Sequence, residues 1–174
     1  MDTLRRMLRA AREAVGRSQA DAAASADVSV RTIQRMESGE GEVTFDTLAS
    51  VRDFLETQGV KFLPPDDDRD WGVAFSDAVA PFPDEDSARK RLFDRAPGAV
   101  LRAARTILAA SQEQLSKQAN VAHTTIRRLE NSDPTVPAEL AYRLQLYFQT
   151  MGIEMRKPDS NYGWRVYFRQ QRPS

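Results

Sequence analysis

Apolar residues open the chain at helical spacing. Leu4, Met7, Leu8, Ala11 and Val15 recur every three to four positions, which predicts a first helix ending near Gly16. Ser18 has the chemistry of an N-cap and predicts a short second helix over 19–25. The turn Ala26-Asp27-Val28 follows, and Asp is among the few non-glycine residues that tolerate positive φ. Ser29 caps a third helix over 30–38, with Ile33 and Met36 facing inward and Arg31, Gln34 and Arg35 outward. A longer helix is predicted over 45–57, stopping at Gly59. The period then drops to two, and VKFLPPDDDRDWGVAF reads as two short strands joined by a polar turn.

The same pattern returns 93 residues later. Residues 7–75 overlay 100–168 without a gap, and roughly twenty of the aligned positions are identical. LRAAR at 8–12 falls on LRAAR at 101–105, Ser18-Gln19 on Ser111-Gln112, and Thr32-Ile33, Arg35 and Glu37 on Thr125-Ile126, Arg128 and Glu130. Gly59, Trp71, Val73 and Phe75 meet Gly152, Trp164, Val166 and Phe168. The second copy has Asn120 where the first has Asp27, and Gln114 completes a capping box with Ser111. Its long helix is predicted over 138–150, and IEMRKPDSNYGWRVYF is its hairpin. Two units over 1–75 and 97–170 follow, joined by a linker over 76–96. Pro81, Pro83 and the acidic run at 84–86 mark that linker, and Ser87 predicts a short helix carrying Leu92 and Phe93. An isolated hairpin is marginal in water, so the two hairpins are expected to pair with each other or with a second chain.

Composition removes most other chemistry. There is no cysteine and one histidine, His123, which excludes thiolate metal sites, cysteine nucleophiles and poly-histidine sites. No second ligand stands at metal spacing from His123, and paired carboxylates lie only in acidic turns. An enzyme, a cofactor and a small-molecule substrate are therefore not expected. No apolar run reaches membrane length, and the charged N-terminus lacks the core of a signal peptide, so a cytoplasmic, nucleoid-associated protein without membrane contact is expected.

The pattern Arg12-x5-Ser18-Gln19, then Val28-Ser29-x2-Thr32-Ile33-x2-Met36-Glu37-x-Gly39, resembles the Cro and lambda-repressor type of helix-turn-helix, the Xre family. The second unit departs from it at Ala122, in place of the serine cap, and at Ser132-Asp133-Pro134, in place of Gly39-Glu40-Gly41. The resemblance implies a mainly α protein: two tandem five-helix, lambda-repressor-like domains, each followed by a short β-hairpin. It implies structural ion pairs Arg12–Glu37 and Arg105–Glu130 between the first and third helices. It makes the third helix of each unit the recognition helix, entering the major groove of double-stranded DNA. Base-edge candidates are then Val30, Arg31, Gln34 and Arg35, with His123, Thr124, Arg127 and Arg128 in the second unit. Phosphate candidates are Ser18, Gln19, Ser29, Thr32, Ser111, Gln112 and Thr125.

Charge sharpens this picture. The formal net charge is zero, yet residues 1–39 carry +2, 97–132 carry +3 and 133–174 carry +2, against −7 over 40–96. The positive excess sits with the helix-turn-helix segments, and it is modest for DNA binding. The acidic Glu40-Gly41-Glu42 loop weakens non-specific affinity and offers a surface for RNA polymerase, if the protein activates rather than represses. The expected function is sequence-specific transcriptional regulation of bacterial or phage type. The rival is a protein-interaction module, antitoxin-like or anti-activator, in which at least one unit binds protein. The aromatics Trp71, Phe75, Trp164, Tyr167 and Phe168 are expected in a hairpin core or interface rather than against bases. A homodimer through the hairpins is the expected assembly if they do not pair within the chain.

Overall fold

The computed structural model describes residues 2–83 and 94–169. Helix α1 (Asp2–Ala14) buries Met7, Leu8, Ala10, Ala11 and Ala14 along one side. Ser18 caps α2 (Gln19–Ser25) by accepting from the Asp21 amide, while the Asp21 carboxylate accepts from the Ser18 amide in return. Ser29 caps α3 (Val30–Ser38), which ends at Gly39 in the left-handed region (φ +79°). Thr44 caps α4 (Phe45–Thr57), and the hairpin of β1 (Val60–Leu63) and β2 (Arg69–Phe75) follows. The second half repeats the order with α5 (Gly98–Ile107), α6 (Gln112–Ala119), α7 (His123–Glu130), α8 (Ala138–Thr150), β3 (Ile153–Arg156) and β4 (Arg165–Arg169). Asp27 and Asn120, the matched turn residues, both adopt φ +51°.

Each half thus holds four helices among the described residues, where five were expected. The segments between the third and fourth helices do not continue as helix. Gly39 and Gly41 both take positive φ, as does Ser132, which Pro134 and Pro137 follow. The short helix expected after Ser87, with Leu92 and Phe93, lies mostly outside the described residues. Its described end, 94–96, runs as coil, tied down by Arg95 donating to the Asp133 carbonyl and by the Ala96 amide donating to Gln145.

The two hairpins pair with each other. They form one antiparallel sheet in the order β1-β2-β4-β3, with β2 and β4 at its centre. Val73 stands opposite Val166, its own counterpart 93 residues on, while Gly72 faces Tyr167 and Ala74 faces Arg165. Exchanging the halves maps this register onto itself and leaves the strand order unchanged. The helices obey the same rule. Among the described residues α1 and α5 make the most extensive helix–helix contact, and Thr106 Oγ1 donates to Glu13 Oε2 at 2.7 Å, again across a separation of 93. Both contacts are isologous, so a pseudo-two-fold axis relates the halves, passing between Val73 and Val166 and between Glu13 and Thr106.

One hydrophobic core runs through both halves, from Met7 and Ile33 to Leu129 and Phe148, joined by Val60, Phe62, Val73, Phe75, Ile153, Trp164 and Val166 from the inner face of the sheet. Trp164 is buried with its Nε1 donating to the Pro81 carbonyl at 3.1 Å, whereas Trp71 and Phe168 are half-buried against the core. On the outer face Tyr167 packs with Leu63, Ala74 and Tyr162. Its ring lies over Gly72, where any Cβ would come within 2.3 Å of Tyr167 Cδ1. The aromatics of the hairpins are packing residues in this structure.

Glu13, on the axis, is a half-buried carboxylate subject to opposing influences. Burial alone would push its carboxyl up, but the hydrogen bonds from Thr106 and Arg9, with Arg105 nearby, hold it below the ordinary carboxylate value of 4.5. A depressed carboxylate contributes stability that is complete above its unfolded value and lost as the pH falls through the folded one. Thr106→Val removes the donor from the other half. It is expected to cost about 1–2 kcal/mol at neutral pH and to move the acid limb of the stability curve to higher pH. Denaturant unfolding between pH 3 and 7 measures both, and an unmoved acid limb would remove Glu13 from the axis contact.

Candidate nucleic-acid interface

The outward face of α3 is presented by a rigid support. Arg12 Nε and Nη2 donate to the two carboxylate oxygens of Glu37 at 2.6 and 2.8 Å, and Nη1 reaches the Arg17 carbonyl at 2.7 Å. Gln19 Nε2 also donates to Glu37, at 2.9 Å. The second half repeats every bond: Arg105 to Glu130 at 2.5 and 3.2 Å and to the Ala110 carbonyl at 3.1 Å, with Gln112 to Glu130 at 2.7 Å. The glutamate side chains are 3% exposed, so each network welds the end of the first helix, the start of the second and the end of the third around a buried charge.

That geometry assigns the glutamines a place the spacing in the sequence did not disclose. Gln19 and Gln112 head helices at positions suited to phosphate, yet their amide nitrogens turn inward to the network. Ser18 and Ser111 act as N-caps, and Ser29 and Thr32 bond each other at 2.8 Å over the start of α3. Thr125 is half-buried on α7, and Ala122 caps that helix without a side-chain bond.

Ile33 and Met36 bury the inner face of α3, as Ile126 and Leu129 do for α7. Val30 (40% exposed), Arg31 and Gln34 stand outward on α3, and His123, Thr124 and Arg127 stand outward on α7. The remaining base-edge candidates behave differently. Arg128 pairs with Asp133 at 2.8 Å and donates to Thr135 Oγ1 at 2.6 Å, folding back over the loop that follows its helix. Bonds from Thr135 and Arg128 hold the Asp133 carboxyl far below the usual range. Arg35, its counterpart, lies against Gly41, where a Cβ would come within 2.1 Å of its Nη2. Both arginines stand over loops rather than on the outermost ridge.

The two halves differ where their second helices begin. Asp21 places a carboxylate at the N-terminus of α2, depressed below its ordinary value chiefly by the Ser18 hydrogen bonds, whereas Gln114 fills the same capping role on α6 without charge. Beside α6 lies a groove of about 550 Å³ lined by Ser111, Gln112, Gln114 and His123 of the second half and by Arg9 and Glu13 of the first. Arg9, bonded to Glu13 on its own helix, thus lines one groove with His123 at the head of α7. Sequence reading passed over it because helix periodicity places it on the exposed side of α1 and says nothing of a neighbour 100 residues away.

Residues 8–60, from α1 to the first residue of β1, match the family model described as Helix-turn-helix. The match supports a helix-turn-helix of the Xre/Cro type in this part of the chain and, in general terms, a DNA-binding regulator. No curated protein and no solved structure matches the chain. No helix of the described residues is long and apolar enough to cross a membrane.

Removing one member of the buried network exposes its importance. Arg12→Ala leaves Glu37 charged without its partner and is expected to cost about 3–5 kcal/mol. Arg31→Ala, at an exposed position, is expected to change stability by less than about 0.5 kcal/mol. Urea unfolding of the two variants checks the contrast, and equal losses would refute the division between support and surface.

Proposed function

We propose that the protein regulates transcription by sequence-specific binding to double-stranded DNA, with α3 entering the major groove. The observation that carries this reading is the exposed Val30, Arg31 and Gln34 ridge held on the buried Arg12–Glu37–Gln19 network within the helix-turn-helix domain. Arg31 suits guanine edges, Gln34 adenine edges and Val30 a thymine methyl. On α7, His123, Thr124 and Arg127 form the matching ridge of a second helix-turn-helix unit over 97–170, which the linker 76–96 connects to the first, over 1–75. Arg35 and Arg128 serve the loops and phosphates more than bases. Ser18, Ser29, Thr32, Ser111 and Thr125 border the phosphate path, joined there by Arg9. Such a protein acts in the bacterial cytoplasm, represses by covering a promoter, and activates only through a polymerase contact such as the Glu40 and Glu42 loop.

A second reading, in which the second half also docks protein, draws on α8. Tyr142 and Leu146, both at least 44% exposed, replace Ala49 and Asp53 of α4 on one helix face.

Selection from a random duplex library tests the main reading. An enriched motif is expected, and Arg31→Ala is expected to lose about 1–3 kcal/mol of discrimination at one base pair. Asp21→Gln keeps the capping box and removes a like charge near phosphate, so binding at low salt is expected to tighten several-fold. An unchanged motif in Arg31→Ala would transfer the weight to the protein-docking reading.

A further inference from the structure

We propose that a single chain is a complete intramolecular dimer, built for one operator whose two half-sites are inverted relative to each other and unlike in sequence. This rests on the DNA-binding reading above and adds the orientation of the target and the number of chains on it. A tandem duplication read along the sequence suggests two modules facing the same way, and therefore directly repeated half-sites. The structure opposes that. Val73 pairs with Val166 and Glu13 bonds Thr106, each residue with its own counterpart, and the register Gly72 to Tyr167 and Ala74 to Arg165 maps onto itself when the halves exchange. Only a two-fold relation brings equivalent positions together in this way.

The relation is fixed on both sides of the core. The β2–β4 pairing sits at the centre of the sheet and the α1–α5 contact lies among the helices. Arg102 adds a bridge, donating to the carbonyls of Glu13 and Glu130 at 3.3 and 3.1 Å. With the axis inside the chain, α3 and α7 are presented in opposed directions. Symmetry in a DNA-binding protein is mirrored in its site, so the half-sites run in opposite senses. Their sequences differ because the outward ridges differ at every position: Val30, Arg31 and Gln34 against His123, Thr124 and Arg127. The surfaces that a half-length protein would offer to a second copy are spent within the chain.

The full chain is selected against random duplexes, and its complex is weighed by native mass spectrometry. One chain per duplex is expected, on a motif with two unlike half-sites in inverted orientation. Arg31→Ala is expected to relax one half-site and Arg127→Ala the other, each lowering affinity for the selected duplex about tenfold. Reversing one half-site, to give a direct repeat, is expected to weaken binding at least as much. A true palindrome carrying two chains, a directly repeated motif, or an Arg127→Ala variant with an unchanged motif would each overturn the inference while leaving DNA binding intact. Failure to enrich any duplex would overturn both.

Discussion

The pairing of β2 with β4 is the constraint on which the rest of the molecule depends. Two strands joined by a turn do not hold together alone in water, and each half ends in such a hairpin. Joined at Val73 and Val166, the hairpins become a four-stranded sheet with one face closed over the helices. The same act brings α1 against α5 and merges what would be two small cores into one. A half of about 75 residues buries a smaller fraction of its surface than the whole chain does, so the merger supplies stability that neither half has in full.

Within that frame, each buried Arg–Glu–Gln network converts stability into orientation. A buried ion pair is a weak source of net stability, since desolvation offsets much of its attraction. Its bonds have direction, however, and here they fix the ends of three helices against one another. Glu37 is held by Arg12 and Gln19, and Arg12 also reaches the loop carbonyl of Arg17. The outward ridge of α3 therefore stands on a support with little freedom.

Much of this was legible in the sequence. The repeat, the helix spans, the serine caps, the left-handed Asp27 and Asn120, the stops at Gly59 and Gly152 and the hairpins are local features, and local chemistry announces them. What escaped is relational. Periodicity cannot show that Val73 faces Val166, since register across a sheet depends on strands 93 residues apart. The resemblance implied a fifth helix in each half, whereas the segment between the third and fourth helices runs through positive φ at Gly39 and Gly41 in one half and at Ser132 in the other. Arg128 looked like a reader because its spacing is right, yet Asp133 and Thr135, in the loop where the second half departs from the first, draw its guanidinium aside. Gln19 and Gln112 looked like surface residues because nothing in their neighbours reveals a buried glutamate 18 positions away.

The claim that the halves form one two-fold body is tested most directly by native-state hydrogen exchange at the junction. The Phe75 amide donates to the Trp164 carbonyl at 2.8 Å across the two hairpins, while the Ile33 amide lies within a core helix of one half. Exchange of both amides with the same free energy, equal to that of global unfolding, is the predicted result. A Phe75 amide that exchanges through a separate low-energy opening, with Ile33 still protected, would show two independent domains and contradict the account.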